Sequence, residues 1–393
     1  MNMEDNIKCT DNNGNLMVFN YITCNNDSSK EIKEIRGQIK DVEGKIIVKT
    51  FGYTDEYVSS SSSFDHDKIV ERLGNVDDWY IKYSLEGTLI RVFFYETEWY
   101  ISTHKKLDAF KSRWSCRDTF GEIFKKGVDD LLKDGEVSES LDYFTSTLNP
   151  SKVYLFLLRS NQENRIVSQT HFVKKNEGIV YVGHFKGEEF YLNLGEETDN
   201  VLSKFPCSST PVASLSNVEE ILGLVDSLNY YEYQGLIFFH KTKVDQFKIV
   251  NSKYHDFYTL RDNNPNLRFR YLELRTQPDE LKKLYTLYPR SADIFDEYEN
   301  LLFRIARMIY HYYVHRYIKN SYVTLPREEY MVMKKCHDWY LSDRQNNRIF
   351  TAKVLEILSM EPALHLYKMI RRFMKNETLK MNYVVEDYNN LTR

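Results

Sequence analysis

The sequence predicts an α+β protein in which a strand-rich mixed sheet domain, residues 31–262, is followed by an all-helical domain, residues 263–393. Three observations carry this. Tyr80 to Thr103 is rich in aromatic and β-branched residues and is interrupted once, at Lys82-Tyr83-Ser84-Leu85-Glu86-Gly87-Thr88. Val153 to Leu158 is an unbroken apolar run, the mark of a strand covered on both faces. Beyond Arg261 the apolar residues recur at helical spacing instead.

In chain order, residues 1–30 form an N-terminal extension, with one apolar patch at Leu16 to Ile22 and a polar linker at Asn25 to Lys30. A hairpin follows around Asp41 to Gly44, its second arm the β-branched run Ile46-Ile47-Val48. Ser59 to Ser63 reads as a loop and Asp65 to Leu73 as a short helix. Trp79 to Thr103 supplies three strands, and the Glu86-Gly87 turn on its own terms is a tight hairpin between the first two. Phe120, Phe124, Val128 and Leu132 mark a helix packed on the sheet. Asn161 to Val167 is a polar loop, and Ile179 to His184 pairs with Glu189 to Leu194 around Lys186-Gly187. Ser216 is placed to cap a helix with Glu219 reaching back, and two strands, Leu236 to Phe239 and Phe247 to Val250, close the domain. In the helical domain, Ser291 with Asp293 opens one helix and Pro326 takes the first position of another. Two more run from Thr351 to Leu358 and from Ala363 to Met374.

Hydrophobic residues make up 42% and charged residues 28%, an ordinary folded composition, and the net charge of −4 gives no global basic field. Any nucleic-acid contact must therefore be local. Five dispersed cysteines without a Cys-x-x-Cys pair fit reduced thiols and argue against a zinc site. The polar start lacks a signal-peptide pattern, and no apolar run is long enough to span a membrane. The expected location is intracellular and cytoplasmic, which for a viral protein means host cytoplasm or virion.

Several features in this order resemble the phage-type RNA ligases of the ATP-dependent nucleotidyltransferase superfamily. They are Arg36-Gly37 in a hairpin, Lys49 with Phe51, the Leu85-Glu86-Gly87-Thr88 turn, the loop through Asn164-Arg165, Gly235 before an apolar strand, and Phe247-Lys248-Ile249. The resemblance covers residues 31–262, and the helical tail is similar to extensions in ligase-like proteins of large DNA viruses. It implies a nucleotidyltransferase fold, ATP and Mg²⁺ as substrate and cofactor, and a lysine that attacks the α-phosphate and holds AMP as a phosphoramide. That chemistry needs an amine neutral near pH 7, carboxylates for the metal and ribose, and lysines facing the transferred phosphate.

The sequence departs from this pattern at the reactive positions. The nucleophile slot holds Ser84, a hydroxyl that cannot form the phosphoramide. The glutamate expected ahead of the Asn164-Arg165 loop is Leu158, the metal-binding glutamate before Gly235 is Gln234, and the second lysine of the last motif is Val250. Lys82, on the same strand face as Ser84, is the candidate substitute, although it sits one pleat back.

Two functions follow from the resemblance. The preferred one is an RNA-ligase-like protein defective in adenylyl transfer that binds a nucleotide or RNA, using Lys49, Phe51, Glu86, Arg165, Gln234 and Lys248 and no metal ligands. The alternative is an active ATP-dependent RNA ligase working through a lysyl-AMP intermediate with ATP and Mg²⁺. Lys368, Arg371, Arg372 and Lys375 share one helical face, a phosphate-contacting stripe or an ordinary solvated surface. His311 and His315 lie four apart without a matching acid and read as packing or surface residues.

Overall fold

The computed structural model describes residues 4–59, 63–132, 140–159, 165–168, 178–195, 201–207 and 215–376. The chain divides into two compact units, Met1–Asn263 and Asn264–Arg393. In the first unit, β1 (Ile7–Asn12), β2 (Leu16–Tyr21), β3 (Gln38–Asp41) and β4 (Ile46–Val48) form an antiparallel sheet in that order. The short helix α1 (Lys30–Lys33) lies in the chain between β2 and β3. Residues 7–21 of the expected N-terminal extension are strands of this sheet, with β2 paired to β3 in register from Leu16 opposite Asp41 to Phe19 opposite Gln38.

Nine further strands build two sheets. They are β5 (Asp55–Val58), β6 (Trp79–Ser84), β7 (Thr88–Tyr95), β8 (Glu98–Ser102), β9 (Lys152–Leu158), β10 (Ile179–Lys186), β11 (Glu189–Leu192), β12 (Gly235–His240) and β13 (Gln246–Val250). The second sheet runs β5-β13-β12-β6 and the third β11-β10-β9-β7-β8. Only the β5–β13 pair among them is parallel.

Helices α2 (Ser63–Leu73), α3 (Phe120–Leu132), α4 (Ser140–Ser146), α5 (Val218–Ser227) and α6 (Ser252–Arg261) complete this unit. Alternation along the strands gives each of the two large sheets two apolar faces. On the second sheet, Ile81, Leu236, Phe238, Phe247 and Ile249 bury against Ile69 and Leu73 of α2 and Ile221 and Val225 of α5. On the third, Ile90, Val92, Tyr154, Phe156 and Tyr181 bury against Phe124 and Val128 of α3 and Phe144 of α4. The opposite faces meet at Phe51, Leu155, Val182, Phe185 and Phe239.

The Glu86-Gly87 turn is therefore not a hairpin. β6 pairs with β12 and β7 with β9, so the turn hands the chain from one sheet to the other. Gly87 is required there, since a Cβ would stand 2.7 Å from the Leu158 carbonyl oxygen and 2.8 Å from Leu157 Cγ. The cap of α5 lies one residue further on than the sequence predicts. Asn217 accepts from the Glu220 amide at 2.9 Å, and the Glu220 carboxylate accepts from the Ser216 amide at 2.8 Å. The expected loop residues Asn161 to Asn164 lie outside the described residues.

The described part of the second unit is helical: α7 (Leu267–Leu274), α8 (Pro278–Leu287), α9 (Ala292–Tyr313), α10 (Arg327–Ser342), α11 (Thr351–Ser359) and α12 (363–376). Pro326 is the N-cap of α10 rather than its first helical residue. Helix α9 buries Phe295, Leu302, Ile305 and Ile309, with Val332, Met333 and Cys336 of α10 and Val354 and Leu358 of α11 also in the core. Arg275 and Tyr271 both reach Glu299 at 2.7 Å, and these hydrogen bonds hold its carboxyl below the usual carboxylate range despite burial. Among the described residues no helix is long and apolar enough to cross a membrane.

Candidate functional site

A cleft of about 720 Å³ lies where the inner faces of the second and third sheets approach. Register on the second sheet sets its reactive row. Lys82 stands opposite Ile237, Ile237 opposite Lys248, and Lys248 opposite Glu56, while one pleat along Ser84 stands opposite Gly235. Side chains of one such row project to the same side.

Ser84 lines the cleft, and its hydroxyl donates to Gln234 Oε1 at 3.0 Å. The same oxygen accepts from Lys248 Nζ at 2.9 Å, which also lies 3.4 Å from Glu56. An ammonium has no acceptor, so the Gln234 atom facing Lys248 must be oxygen, and the amide nitrogen is left to donate to Tyr254 Oη at 3.0 Å. The Tyr254 phenol donates in turn to Glu86 Oε2 at 3.0 Å. Burial and the Glu86 charge push this phenol well above its ordinary value, so it remains a donor at neutral pH. The Glu86 carboxylate also accepts from the amides of Ile166, Val167 and Ser168, the last two at 2.9 Å. The network Ser84–Gln234–Tyr254–Glu86 is closed: at each step a donor meets an acceptor, and an amide rather than a carboxylate is required at position 234.

The described lining carries Arg36, Lys105, Arg113 and Lys248 against a single carboxylate, Glu56, with Phe51, Trp114 and Tyr258 as aromatic surfaces. Behind Arg36, the fully buried Arg91 donates to the Gly37 carbonyl and to the Thr103 carbonyl at 2.6 Å. Burial and the nearby Arg36 charge push its guanidinium down to about 9, still cationic at neutral pH. His104 lines the cleft beside these cations, and burial together with both guanidiniums holds its ring well below the usual histidine range. The arrangement favours an anion with a planar, stackable part.

The sequence-predicted residues divide. Phe51, Ser84, Gln234 and Lys248 line the cleft. Glu86 and Arg165 do not: Glu86 turns into the 165–168 loop, and Arg165 is buried in it. Lys49 is also outside the lining, its ammonium 2.8 Å from Glu34. Lys82 is 0% exposed, and its ammonium donates to the Asn193 carbonyl at 2.6 Å and lies 3.1 Å from Cys207 Sγ. The candidate substitute for Ser84 is thus held outside the cleft lining.

No family model matches the chain. Two curated relatives, both named immediate-early protein ICP-46 homolog, come from invertebrate iridescent viruses. The one from virus 3 is 27% identical over 353 residues, 88% of this chain and 74% of that protein. The one from virus 6 is 26% identical over 309 residues, 77% of this chain and 66% of that protein. Among solved structures, a putative ATP-dependent DNA ligase from Aquifex aeolicus is 15% identical and covers 72% of this chain and 74% of its own, with a TM-score of 0.41, too loose an overlap to carry an assignment.

A divalent cation does not fit the lining described. Glu56 is paired with Lys248, Gln234 Oε1 already accepts two hydrogen bonds, and among the described residues no three His, Cys, Asp or Glu side chains gather as a metal site. His311 and His315 have ring centroids 4.5 Å apart with no such set around them. Two of the four cations in the predicted basic stripe, Lys368 and Arg372, are paired with carboxylates. Arg372 lies 2.9 Å from Glu328 and 2.7 Å from Glu329, Lys368 lies 3.5 Å from Glu328, and Arg371 packs over Tyr367, with Lys375 exposed.

Sequence reasoning missed Tyr254, Lys105, Arg113 and Trp114. Tyr254 had a readable signal: Asn251 caps α6 through the Lys253 and Tyr254 amides at 2.9 and 3.1 Å, and an Asn before Ser-Lys-Tyr is a helix start. Lys105, Arg113 and Trp114 had none, because they reach the cleft from a segment without periodicity.

Proposed function

We propose that this chain is a ligase-like nucleotidyltransferase relative whose cleft binds a nucleotide or a nucleotide-bearing RNA end without forming a lysyl-AMP. One observation carries the reading: the nucleophile slot presents a hydroxyl already donated to Gln234, while the neighbouring lysine amine is bound to the Asn193 carbonyl. The cationic, aromatic-edged cleft supports an anionic, aromatic ligand, and the Gly87 and Gly235 positions fit the order of motifs in the ligase pattern. The alternative, an active RNA ligase, needs the Lys82 amine to leave a fully buried position and cross to the cleft.

Titration of the full-length protein with ATP by calorimetry tests this. Saturable binding that weakens as salt is raised is the expected result, since the lining cations supply the attraction. Absence of heat at millimolar ATP and at low salt overturns the nucleotide-binding reading.

A further inference from the structure

Outside the cleft lining, the amine of Lys82 meets the thiol of Cys207, with Nζ 3.1 Å from Sγ. This is a pair rather than an isolated thiol. Both groups donate to one acceptor, the Asn193 carbonyl, the amine at 2.6 Å and the thiol at 3.1 Å, so the oxygen holds nitrogen and sulfur side by side. The amine is fully buried, whereas Cys207 is partly exposed. The two also belong to different layers. Lys82 is on β6 in the second sheet, and Cys207 forms a parallel bridge with Tyr181 on β10 in the third.

We propose that Lys82 and Cys207 form an oxidation-dependent covalent link, a direct bond between Nζ and Sγ that straps the two sheets flanking the cleft. The oxidant is a hydroperoxide. In the first step the Cys207 sulfur loses two electrons to the peroxide: the O–O bond breaks, one oxygen joins sulfur as a sulfenic acid and the other leaves as water or alcohol. In the second step the Lys82 ammonium first gives a proton to solvent, the free amine Nζ then attacks Sγ, the S–O bond breaks, and the hydroxide departs as water with a second proton from the nitrogen. Relative to the reduced chain, the product has lost two hydrogens and gained no oxygen. A thiol returns both residues by attack on sulfur, with the amine as leaving group. The preformed contact matters because a sulfenic acid that meets no nucleophile proceeds to sulfinic and sulfonic acids. This inference rests on the pair's own geometry and is independent of what the cleft binds.

The test is to treat the folded full-length protein with hydrogen peroxide, denature it, alkylate free thiols, digest with trypsin and map the peptides by mass spectrometry. Cleavage after Lys82 is expected to disappear in the same fraction of molecules that lose the alkylatable Cys207. The joined peptides should weigh two hydrogens less than their sum, and dithiothreitol should restore both signals. Cys207→Ser should keep cleavage after Lys82 intact under peroxide, while the exposed Cys9 oxidises in either protein without a lysine link. Cys207 recovered as a free thiol, as a sulfinic or sulfonic acid with Lys82 still cleaved, or joined to Lys82 through an extra oxygen overturns the direct bond.

Discussion

Replacing Lys248 by Ala is expected to weaken ATP binding about ten- to a hundredfold, the worth of one hydrogen bond to a charged group, ~1.5–3 kcal/mol. Its ammonium lines the cleft and is oriented by Gln234 Oε1 at 2.9 Å and Glu56 at 3.4 Å, leaving donor capacity for a ligand. Removing it also leaves Glu56 as an uncompensated negative charge in the same cleft, so the field changes by more than one lost contact. Lys248→Arg keeps the charge with a different shape and should fall between wild type and Ala. Calorimetric titration of the three proteins at low salt measures the effect. Equal affinities would place the nucleotide elsewhere.

Gly235→Ala is expected to destabilise the first unit by about 3 kcal/mol or more. Gly235 sits at φ +149°, and a Cβ there would stand 2.1 Å from the Ile249 carbonyl oxygen and 2.9 Å from Val250 Cα. Both neighbours are backbone of the adjoining strand β13, so neither can rotate away, and relief requires parting β12 from β13 beside Lys248 and Ser84. Thermal unfolding followed by circular dichroism should show the midpoint lowered by roughly 10 °C. A midpoint within a degree of wild type would contradict the register that aligns Ser84, Gly235 and Val250.

Much of the first unit was legible because its strands are short apolar runs bounded by Gly, Asp and Asn, and alternation along β6 correctly puts Lys82 and Ser84 on one face. What the pattern could not carry is partner choice. Nothing local to Glu86-Gly87 says that β6 and β7 go to different sheets; that follows from pairing with β12 and β9, residues distant in the chain. The fate of each lysine is likewise decided at long range. Lys82 is held by Asn193 and Lys49 by Glu34, whereas Lys248 stays in the cleft. Sequence alone leaves the stripe on α12 open between a phosphate-contacting and an ordinary solvated face, because Glu328 and Glu329, which pair with Arg372, lie on another helix. Helix α6 escaped notice because Tyr254, Phe257 and Tyr258, although at i, i+3 and i+4 on one face, make a pattern of little more than one turn in a ten-residue helix.

The central claim is that position 84 offers no amine to the phosphate. Incubating the protein with α-labelled ATP and a divalent cation, then separating it by denaturing electrophoresis, tests this directly. The account predicts label that co-migrates with the native protein and none that survives denaturation. A band of covalently bound AMP that vanishes in Lys82→Ala would contradict it, because the buried lysine would then be the nucleophile.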